Sequence, residues 1–390
     1  MRILMLHNYY QHWGGEDAST EQELRLLRRH GHEVLFYSRH NNEIKSFSLF
    51  RKALLFFEAS WSLKSYNEIK KLIRDFQPDV AHFHNFFPLI SPSAYYACAE
   101  MGIPVIQTLH DYRLLCPTGW LFRDGRVCED CFSNSLWHGI KFGCYHNSRT
   151  QTAAVALMLK THRILRTWYD KVDAFIALTD FSRRKFIEAG IPKFKIFVRP
   201  NFLEGDPGIG ESSREYALFV GRLSPEKGLE TLLKAWHSLP DIPLKIIGDG
   251  PMRSWVEEYI KQNRLKNIEL IGFVRGDLIW GYLKKAFFLI IPSVWYECLP
   301  RTIIEAYATG TPVIASRLGS MEDLVEDGRT GLLFNPGAPN DLAAKVRFAV
   351  KHPNDLMQWG QRARYVFEQK YSSDNAYNSL MEIYARVTGK

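Results

Sequence analysis

Residues suited to phosphate binding lie together in the second half of the chain, at residues 221–228. This segment follows an apolar run, opens a helix-like stretch and carries the cations Arg222 and Lys227 between glycines. Backbone N–H groups at the start of a helix and nearby cations both attract phosphate oxygens. A second glycine turn, with Gly248 and Gly250, follows the next apolar run and would let a ligand approach the backbone. The pattern predicts a site for a phosphorylated ligand.

Two glutamates lie close to a further turn between a strand and a helix. Glu297 follows the apolar run 287–291, and Glu305 lies eight positions later, in the helix that comes next. The backbone at 299–302 would then form a helix N-terminus, which attracts anions. Carboxylates accept strong hydrogen bonds from the hydroxyls of a sugar or a ribose. The pair therefore indicates a ligand that carries hydroxyl groups as well as phosphate.

One histidine of the first half lies where a ligand is expected. His110 follows the apolar run 104–109 and precedes Asp111. The carboxyl ends of parallel strands face the ligand crevice of an open α/β sheet. A single histidine is more often structural than functional, but the position at a strand end and the neighbouring carboxylate leave both interpretations open here.

The elements that must position these residues alternate between strands and helices in both halves. Alternation of this kind predicts an α/β fold with two Rossmann-like, doubly wound parallel-sheet domains. The first helix is expected at 18–30, with Thr20 and Glu23 as a capping box. The predicted strands are 2–6, 33–37, 79–82, 104–109, 172–178, 216–220, 244–247, 268–271, 287–291 and 312–315.

A run rich in Pro, Gly and Ser at 200–213 predicts a linker between the domains. We expect an N-terminal domain at 1–200 with a Cys-rich insertion at about 112–148. A C-terminal domain follows at 201–372, and a last amphipathic helix occupies 373–390.

Composition limits the location and partners of the protein. The 390 residues are 46% hydrophobic and carry a formal net charge of +8, which favours anionic partners or reflects general solubility. No basic run is dense enough to indicate nucleic acid. No apolar stretch reaches the roughly 20 residues that a membrane span needs, and no signal peptide is evident. We therefore expect a cytoplasmic protein with reduced cysteines.

Four of the six cysteines fall within a short part of the chain. They are Cys116, Cys128, Cys131 and Cys144. The Cys-x2-Cys spacing in a reducing compartment is typical of a structural tetrathiolate zinc site. The alternative is a set of buried free thiols in a long insertion.

The segment 44–64 has more apolar side chains than one helix face against a core requires. Basic residues border it, namely Lys45, Arg51, Lys52 and Lys64. An interfacial membrane segment has this composition. A core helix beside an acceptor channel would have it too.

Taken together, these residues resemble the retaining glycosyltransferases of family 4, which have two facing Rossmann-like domains with a cleft between them, the GT-B fold. The resemblance spans essentially the whole chain, and the terminal helix from Asp374 resembles the one that crosses back to the first domain in that fold. The matching pieces are Gly14-Gly15, His110, the segment 221–228, Gly248-x-Gly250-Pro251 and Glu297-x7-Glu305.

The resemblance implies catalytic roles for four of these residues. Arg222 and Lys227 would hold the diphosphate of a nucleotide-sugar and neutralise its charge as it departs. Glu297 would bind hydroxyls of the donor sugar, and His110 would contact that sugar or position its neighbours. Glu305 would bind the ribose hydroxyls of the nucleotide.

Further positions are implied to complete the binding sites. Gly15 would let its backbone approach the diphosphate, as would the turn of Gly248 and Gly250. Asp17, two positions after the second glycine, would contact the acceptor. The other implied nucleotide-sugar contacts are Phe273 and Val274 at the base and the N–H groups of Leu299, Arg301 and Thr302.

The implied reaction moves a hexose-type sugar from a nucleotide-sugar, most often a UDP- or GDP-sugar, to a saccharide or lipid-linked saccharide. The expected setting is cell-surface polysaccharide synthesis, at the inner face of the membrane if a lipid acceptor is used. No protein nucleophile and no catalytic cofactor are implied, and zinc would be structural. The sequence has no Asp-x-Asp motif at a strand end, so a metal bound to the diphosphate is not implied.

Other classes of protein fit the sequence less well. A nicotinamide-dependent dehydrogenase would need a Gly-x-Gly-x-x-Gly turn after the first strand, and the chain lacks one. A sugar epimerase or phosphorylase of the same fold is a closer alternative. A basic zinc-containing nucleic-acid binder would need a stripe of cations, whereas the cations here lie at strand-to-helix turns.

Overall fold

The computed structural model describes residues 1–210 and 214–390, which form two compact units. The first unit comprises Met1–Leu121, Cys128–Asn201 and Ala376–Lys390, and the second comprises Phe122–Val127 and Phe202–Asn375. The predicted linker at 200–213 begins at the boundary between them, and its last three residues lie outside the described part of the chain.

A six-stranded parallel sheet forms the centre of the first unit, in the order β2-β1-β3-β4-β7-β8. Two further strands, β5 and β6, pair as a short antiparallel hairpin. The strands are β1 Arg2–Tyr9, β2 Glu33–His40, β3 Val80–Asn85, β4 Val105–Leu109, β5 Phe122–Arg123, β6 Arg126–Val127, β7 Ala174–Ala177 and β8 Ile196–Val198.

The apolar runs form strands because the sheet buries both of their faces. Ile3, Leu4, Met5 and Leu6 are consecutive and fully buried in β1, as expected for a parallel strand covered on both sides. The five predicted strands of this unit are confirmed. The edge strand β8 was missed because it has only three residues, one of them exposed.

The helices of the first unit cover this sheet. They are α1 Gly15–Arg29, α2 Leu49–Glu58, α3 Leu63–Phe76, α4 Ser93–Glu100, α5 Asp130–Ser133, α6 Trp137–Phe142, α7 Arg149–Ile164, α8 Thr167–Asp170 and α9 Asp180–Glu188, with 3₁₀ turns at Asn41–Ser46 and Lys193–Lys195.

Helix α1 begins three residues earlier than the sequence indicated. Its N-cap is Gly14, whose N–H donates to the Asp17 carboxylate at 3.0 Å. The predicted capping box of Thr20 and Glu23 is therefore wrong. The Thr20 hydroxyl donates to the Glu16 carbonyl within the helix, and Glu23 faces the protein interior.

The second unit contains another six-stranded parallel sheet, in the order β11-β10-β9-β12-β13-β14. Five of its strands were predicted and are confirmed, whereas the short β14 was missed. The strands are β9 Tyr216–Val220, β10 Leu244–Ile247, β11 Ile268–Gly272, β12 Ala286–Ile291, β13 Val313–Ser316 and β14 Gly331–Phe334. The predicted α/β class, with two doubly wound parallel sheets, is confirmed.

The helices of the second unit include one that the sequence predicted as a single element. The expected helix at 226–239 is a 3₁₀ turn, Pro225–Lys227, followed by α10, because Gly228 between them has a left-handed φ of +71°. The helices are α10 Leu229–Trp236, α11 Arg253–Gln262, α12 Leu278–Lys285, α13 Arg301–Ala308, α14 Ser320–Leu324, α15 Pro339–Lys351 and α16 Pro353–Lys370.

The last helix, α17 Ser373–Thr388, starts in the second unit and continues in the first. Its side chains Leu380, Ile383 and Tyr384 pack with Ile3 and Val80 in the core of the first unit. The C-terminal segment is thus an integral part of that core. Within the described residues, no helix combines the length and the apolar character that crossing a membrane requires.

Candidate functional site

The predicted donor residues collect at one edge of the second sheet. Strand β9 lies between β10 and β12, which is the point where the strand order reverses and where open α/β sheets bind ligands. The segment 221–228 follows β9, Gly248 follows β10, Phe273 follows β11 and Glu297 follows β12. The carboxyl ends of four neighbouring strands therefore carry the motifs found in the sequence.

Close backbone packing fixes the turn after β9. A Cβ atom on Gly248 would lie 1.9 Å from the Gly221 carbonyl oxygen, and one on Gly250 would lie 2.5 Å from the Leu223 oxygen. A Cβ on Gly228 would lie 1.8 Å from the Pro292 oxygen. These distances leave no space for a side chain. At these glycines it is therefore the neighbouring protein backbone that makes the close approach.

The Arg222 side chain is oriented by a buried carboxylate. Its guanidinium donates to Glu226 at 2.5 Å and to the Ser224 hydroxyl at 3.1 Å, and that hydroxyl donates to Glu226 at 2.6 Å. Burial raises the pKa of Glu226, but the hydrogen bond from Ser224 and the charge of Arg222 outweigh it and hold the pKa below its usual value. Glu226 is therefore ionised and holds a half-exposed cation at the sheet edge.

Lys227 and Glu297, which the sequence assigned to separate contacts, form an ion pair. The Lys227 ammonium lies 2.6 Å from a Glu297 carboxylate oxygen and 5.2 Å from the centre of the Trp295 ring. The Ser293 hydroxyl donates to the same carboxylate at 2.8 Å. The cation predicted for phosphate and the carboxylate predicted for sugar hydroxyls are thus adjacent.

Helix α13 begins where the sequence placed a helix N-terminus. Its first residue is Arg301, so the N–H groups near Leu299, Arg301 and Thr302 lie at its positive end. Glu305 lies on the second turn, and burial raises the pKa of its carboxyl group while the charge of Arg301 opposes the shift. Across the sheet edge, the predicted base contacts Phe273 and Val274 are exposed and half-buried.

A pocket at the corresponding edge of the first sheet contains His110. It is lined by Tyr10, Glu16, His84, His110, Asp111 and Arg113, among others. Burial raises the pKa of Glu16, and the Asp111 carboxylate raises it further; burial also raises the pKa of Asp111. Two carboxyl groups that share a buried site favour holding a proton, so one of them can donate a hydrogen bond to a ligand.

Asp17 does not lie where its predicted acceptor role requires. Its side chain is fully buried, one oxygen accepts from the Gly14 N–H, and the other lies 2.8 Å from the Nε2 atom of His7. Asp17 is therefore a cap of α1, and Glu16, one residue earlier, is the carboxyl group in the pocket. Gly15 is the first residue of the helix.

A buried network that the sequence analysis missed supports His110. The His84 Nδ1 atom lies 2.9 Å from the His110 Nε2 atom, and the other His84 nitrogen lies 3.2 Å from Glu23. The same carboxylate is 3.1 Å from His82 and 2.5 Å from Arg199. The signal in the sequence was the pattern His82-x-His84, which places both histidines on one face of a strand.

The network determines which of its groups are charged. Burial raises the pKa of Glu23, but Arg199 and the two neighbouring histidines lower it well below its usual value. Burial, followed by the charge of His82, lowers the pKa of His84 to about 4. Burial and the charge of His84 hold the pKa of His110 well below 6.5. At neutral pH His110 is therefore an uncharged imidazole with one donor and one acceptor.

The four clustered cysteines belong to the first unit, and no disulfide joins any of the six cysteines, all of which lie in the described part of the chain. Cys116 and Cys131 are buried and in hydrogen-bond contact, and this contact lowers the pKa of Cys116. Cys128 and Cys144 are half-buried.

Helix α2, within the segment 44–64, contains no buried residue. The alternative of a core helix is therefore wrong. The side chains of Phe50 and Phe57 are 74% and 64% exposed, which is unusual for phenylalanine on a monomer surface.

Two family models match the chain and together cover most of it. The model described as Glycosyltransferase Family 4 matches residues 13–204, and the model described as Glycosyl transferases group 1 matches residues 208–366. The protein belongs to the group 1 glycosyltransferases of family 4. The family inferred from the sequence motifs is confirmed.

Relatives from several organisms align with most of the chain. An uncharacterized glycosyltransferase of Methanocaldococcus jannaschii is 25% identical over 391 residues, which cover 100% of this chain and 99% of that protein. A phosphatidyl-myo-inositol mannosyltransferase of Mycobacterium leprae is 26% identical over 283 residues, covering 65% of this chain and 71% of that protein.

Solved structures place the fold. HepE of Anabaena in complex with UDP aligns with a TM-score of 0.68 at 18% identity, over 98% of this chain and 99% of that one. Sucrose-phosphate synthase from Thermosynechococcus elongatus aligns with a TM-score of 0.73 at 17% identity, over 100% and 99% of the two chains. The predicted GT-B fold is confirmed.

The buried histidines make the first unit sensitive to acid. Between pH 6.5 and 5 His84 becomes protonated in the unfolded chain but stays neutral in the folded unit. The free energy of unfolding therefore falls as the pH is lowered. The loss for His84 alone is about 1.5 kcal/mol across this window. This loss is measured by urea unfolding at each pH, with pulsed hydrogen exchange in β3 as the readout.

The matched variants are His84→Gln, which removes the titrating group, and His237→Gln, which changes an exposed histidine of the second unit. His84→Gln should flatten the pH dependence between 6.5 and 5, and His237→Gln should leave it unchanged. Equal slopes for wild type and His84→Gln would show that His84 titrates normally in the folded protein.

Proposed function

We propose that the protein is a retaining hexosyltransferase that uses a nucleotide-sugar, a UDP- or GDP-sugar, and a saccharide or lipid-linked saccharide acceptor. Its setting would be cell-surface polysaccharide synthesis at the inner face of the membrane. The observation that carries the proposal is the set of cations and helix N–H groups at the carboxyl edge of the second sheet. Solved complexes of HepE from Anabaena with UDP and with UDP-glucose support the choice of donor class.

The donor would be held mainly by its diphosphate. Arg222 and Lys227 supply two positive charges on a turn whose backbone is closely packed against its neighbours, and the start of α13 adds N–H groups. Glu305, partly buried on the second turn of that helix, would accept hydrogen bonds from the ribose. Phe273, exposed after β11, would lie against the base.

The ion pair of Lys227 and Glu297 suggests how donor binding activates the site. An arriving phosphate would share the Lys227 ammonium, while Glu297 would accept hydrogen bonds from the sugar hydroxyls. When the sugar–phosphate bond breaks, negative charge grows on the diphosphate. Fixed cations and helix N–H dipoles stabilise that charge without rearranging, which is where most of the rate enhancement would arise.

His110 would act as a neutral hydrogen-bonding group toward the transferred sugar. Its lowered pKa keeps a second positive charge away from an anomeric carbon that itself becomes positive. In the retaining reaction the acceptor oxygen bonds to this carbon on the face that the phosphate leaves. The acceptor proton passes to the departing phosphate oxygen. No protein nucleophile is assigned, and no catalytic metal or cofactor is assigned.

The acceptor would be handled by the first unit. The pocket around His110 offers a shared proton on Glu16 and Asp111, which can donate to one hydroxyl and accept from another. Saccharides present many hydroxyl groups, so this pocket suits them. Glu16 takes the acceptor role that the sequence gave to Asp17.

The donor assignment is tested with Lys227→Met and Arg222→Met, which keep much of the side-chain length and remove the charge. Each should lower turnover about a hundredfold, the cost of one preorganised charge contact at roughly 3 kcal/mol. Turnover is measured as nucleoside diphosphate release from the UDP- or GDP-sugar that most raises the thermal stability of the protein.

The control is Lys234→Met, a surface lysine of α10 that pairs only one helical turn away with Glu230 at 2.6 Å. Surface pairs of this kind contribute little, so its turnover should match wild type. Glu305→Gln should weaken affinity for the nucleoside diphosphate. Near-normal turnover in both cation variants would contradict the proposal that Arg222 and Lys227 bind the diphosphate.

A lipid-linked acceptor requires access to a membrane surface, and α2 supplies a suitable one. Its exposed apolar side chains lie beside the basic residues Lys45 and Lys52. Arg51 is already paired with Glu58, and Lys64 lies 3.8 Å from Glu68, so these two contribute less than the sequence suggested. Helix α7, whose His162 bonds to the Ser60 carbonyl beside α2, adds exposed Ile164 and Lys160.

Anionic vesicles therefore should bind the protein reversibly. Each basic residue near an anionic leaflet contributes about 1 kcal/mol and is screened by salt, and the aromatic side chains add apolar burial. Co-sedimentation with vesicles of phosphatidylglycerol and phosphatidylcholine should exceed that with phosphatidylcholine alone, and should fall at high ionic strength.

The variants follow from the exposure of α2. Phe50→Ser with Phe57→Ser should reduce vesicle binding without loss of fold, because neither side chain is buried. Leu278→Ser, which changes an equally exposed apolar residue of α12, should not. If wild type and the double variant co-sediment equally, α2 is not the membrane contact and a soluble acceptor is favoured.

A further inference from the structure

We propose that Cys116, Cys128, Cys131 and Cys144 bind one structural zinc ion as a tetrathiolate site that staples residues 112–148 to the first unit. The inference is independent of the glycosyltransferase reaction. It depends on how the chain positions the four thiols: Cys131 lies on the short helix α5, and the other three lie in loops and turns.

Two of the thiols already meet in the interior of this segment. Cys116 and Cys131 are 7% and 5% exposed, and their sulfur atoms are in hydrogen-bond contact although fifteen positions separate them. The N–H groups of Thr118 and Leu121 donate to the Cys116 sulfur, and the N–H of Gly139 donates to the Cys131 sulfur. Donors of this kind stabilise a thiolate and orient it toward a metal.

Each of the other two cysteines is hydrogen-bonded to a residue that itself contacts one member of this pair. The Cys128 N–H donates at 2.8 Å to the carbonyl of Leu121, the residue whose own N–H reaches Cys116. The Cys144 N–H donates at 3.1 Å to the carbonyl of Gly139, the residue whose N–H reaches Cys131. Backbone hydrogen bonds thus link each of the two outer cysteines to a residue that contacts the buried pair.

Glycine at position 139 keeps that point open. A Cβ atom there would lie 3.2 Å from the Cys131 sulfur and 3.1 Å from the Pro117 ring. A side chain at this position would require these neighbours to move by a few tenths of an ångström. The regular structure of the segment consists of the hairpin of β5 and β6 and the short helices α5 and α6, so a metal would add folding energy to what packing supplies.

The charge of a zinc tetrathiolate has a partner. Four thiols would release their protons to solvent on binding Zn²⁺, which leaves a net charge of −2 at the site. The Arg163 guanidinium, held by the carbonyls of Leu114 and Leu115, interacts electrostatically with Cys116 and Cys131. Its charge would offset part of this excess.

Binding requires a modest closure of the two outer cysteines. Among the described residues, three ligand atoms lie within 4.8 Å of one another only at Glu23, His82 and His84, where Arg199 already neutralises the carboxylate. No three of the four sulfur atoms reach this distance. Cys128 and Cys144 are half-buried on turns, and their side chains would swing toward the buried pair to reach zinc–sulfur distances of about 2.3 Å.

The test is elemental analysis of the full chain, purified under reducing conditions without chelator or added metal. We expect close to one zinc per chain. Changing Cys128 and Cys131 together to Ser should abolish it, whereas Cys98→Ala, which alters a buried thiol of α4 outside the cluster, should retain it.

A second variant guards against a simple loss of folding. Cys144→His keeps a zinc ligand, so it should retain the metal, and cobalt substituted for zinc should lose part of its sulfur charge-transfer absorption. A protein that carries no zinc and titrates six thiols would overturn the proposal. A Cys116–Cys131 disulfide, found as a mass two hydrogens lower, or iron in place of zinc would overturn it too.

Discussion

At Gly228, Gly248 and Gly250 the backbone around the turn after β9 leaves no room for a side chain, and the proposed donor site depends on that constraint. Gly221 and Leu223 are pressed against Gly248 and Gly250 from the next strand, and Gly228 is pressed against Pro292 from the strand on the other side. Because backbone holds backbone at these points, the cations between them start from fixed positions. A charge that develops on a bound phosphate then meets groups that need no reorganisation, which is the physical requirement for lowering a barrier electrostatically.

In the first unit, a buried carboxylate holds the neighbouring side chains in place. Glu23 of α1 holds Arg199, His82 and His84 around itself, and Arg199 also donates to the Ala376 carbonyl at the start of the C-terminal segment. Burying a charge is costly unless it is paired and hydrogen-bonded. His84, a member of this group, also contacts His110 and helps to keep it uncharged. The core contacts of α17 and the pocket of the first unit are therefore physically connected.

Much of this could be predicted from the sequence, for reasons that particular residues illustrate. Residues 3–6 and 288–291 are buried on both faces, so their composition alone marks them as strands. The motif residues were placed correctly because each follows such a strand. Contacts between distant positions gave no signal: Lys227 pairs with Glu297 seventy positions away, and Gly228, where the predicted helix breaks, packs against the Pro292 carbonyl. Asp17 and Glu16 are adjacent in sequence, and only the start of α1 decides which faces the pocket.

The central claim is that the second unit binds a nucleoside diphosphate through its phosphates. Calorimetric titration of the wild-type chain with nucleoside, monophosphate and diphosphate, in the uridine and guanosine series and with a metal chelator present, tests it directly. In one series the diphosphate should bind about tenfold or more tightly than the monophosphate, because each added charge-assisted contact contributes roughly 1.5 kcal/mol or more. Equal affinity for nucleoside and diphosphate, or no binding in either series, would contradict the account.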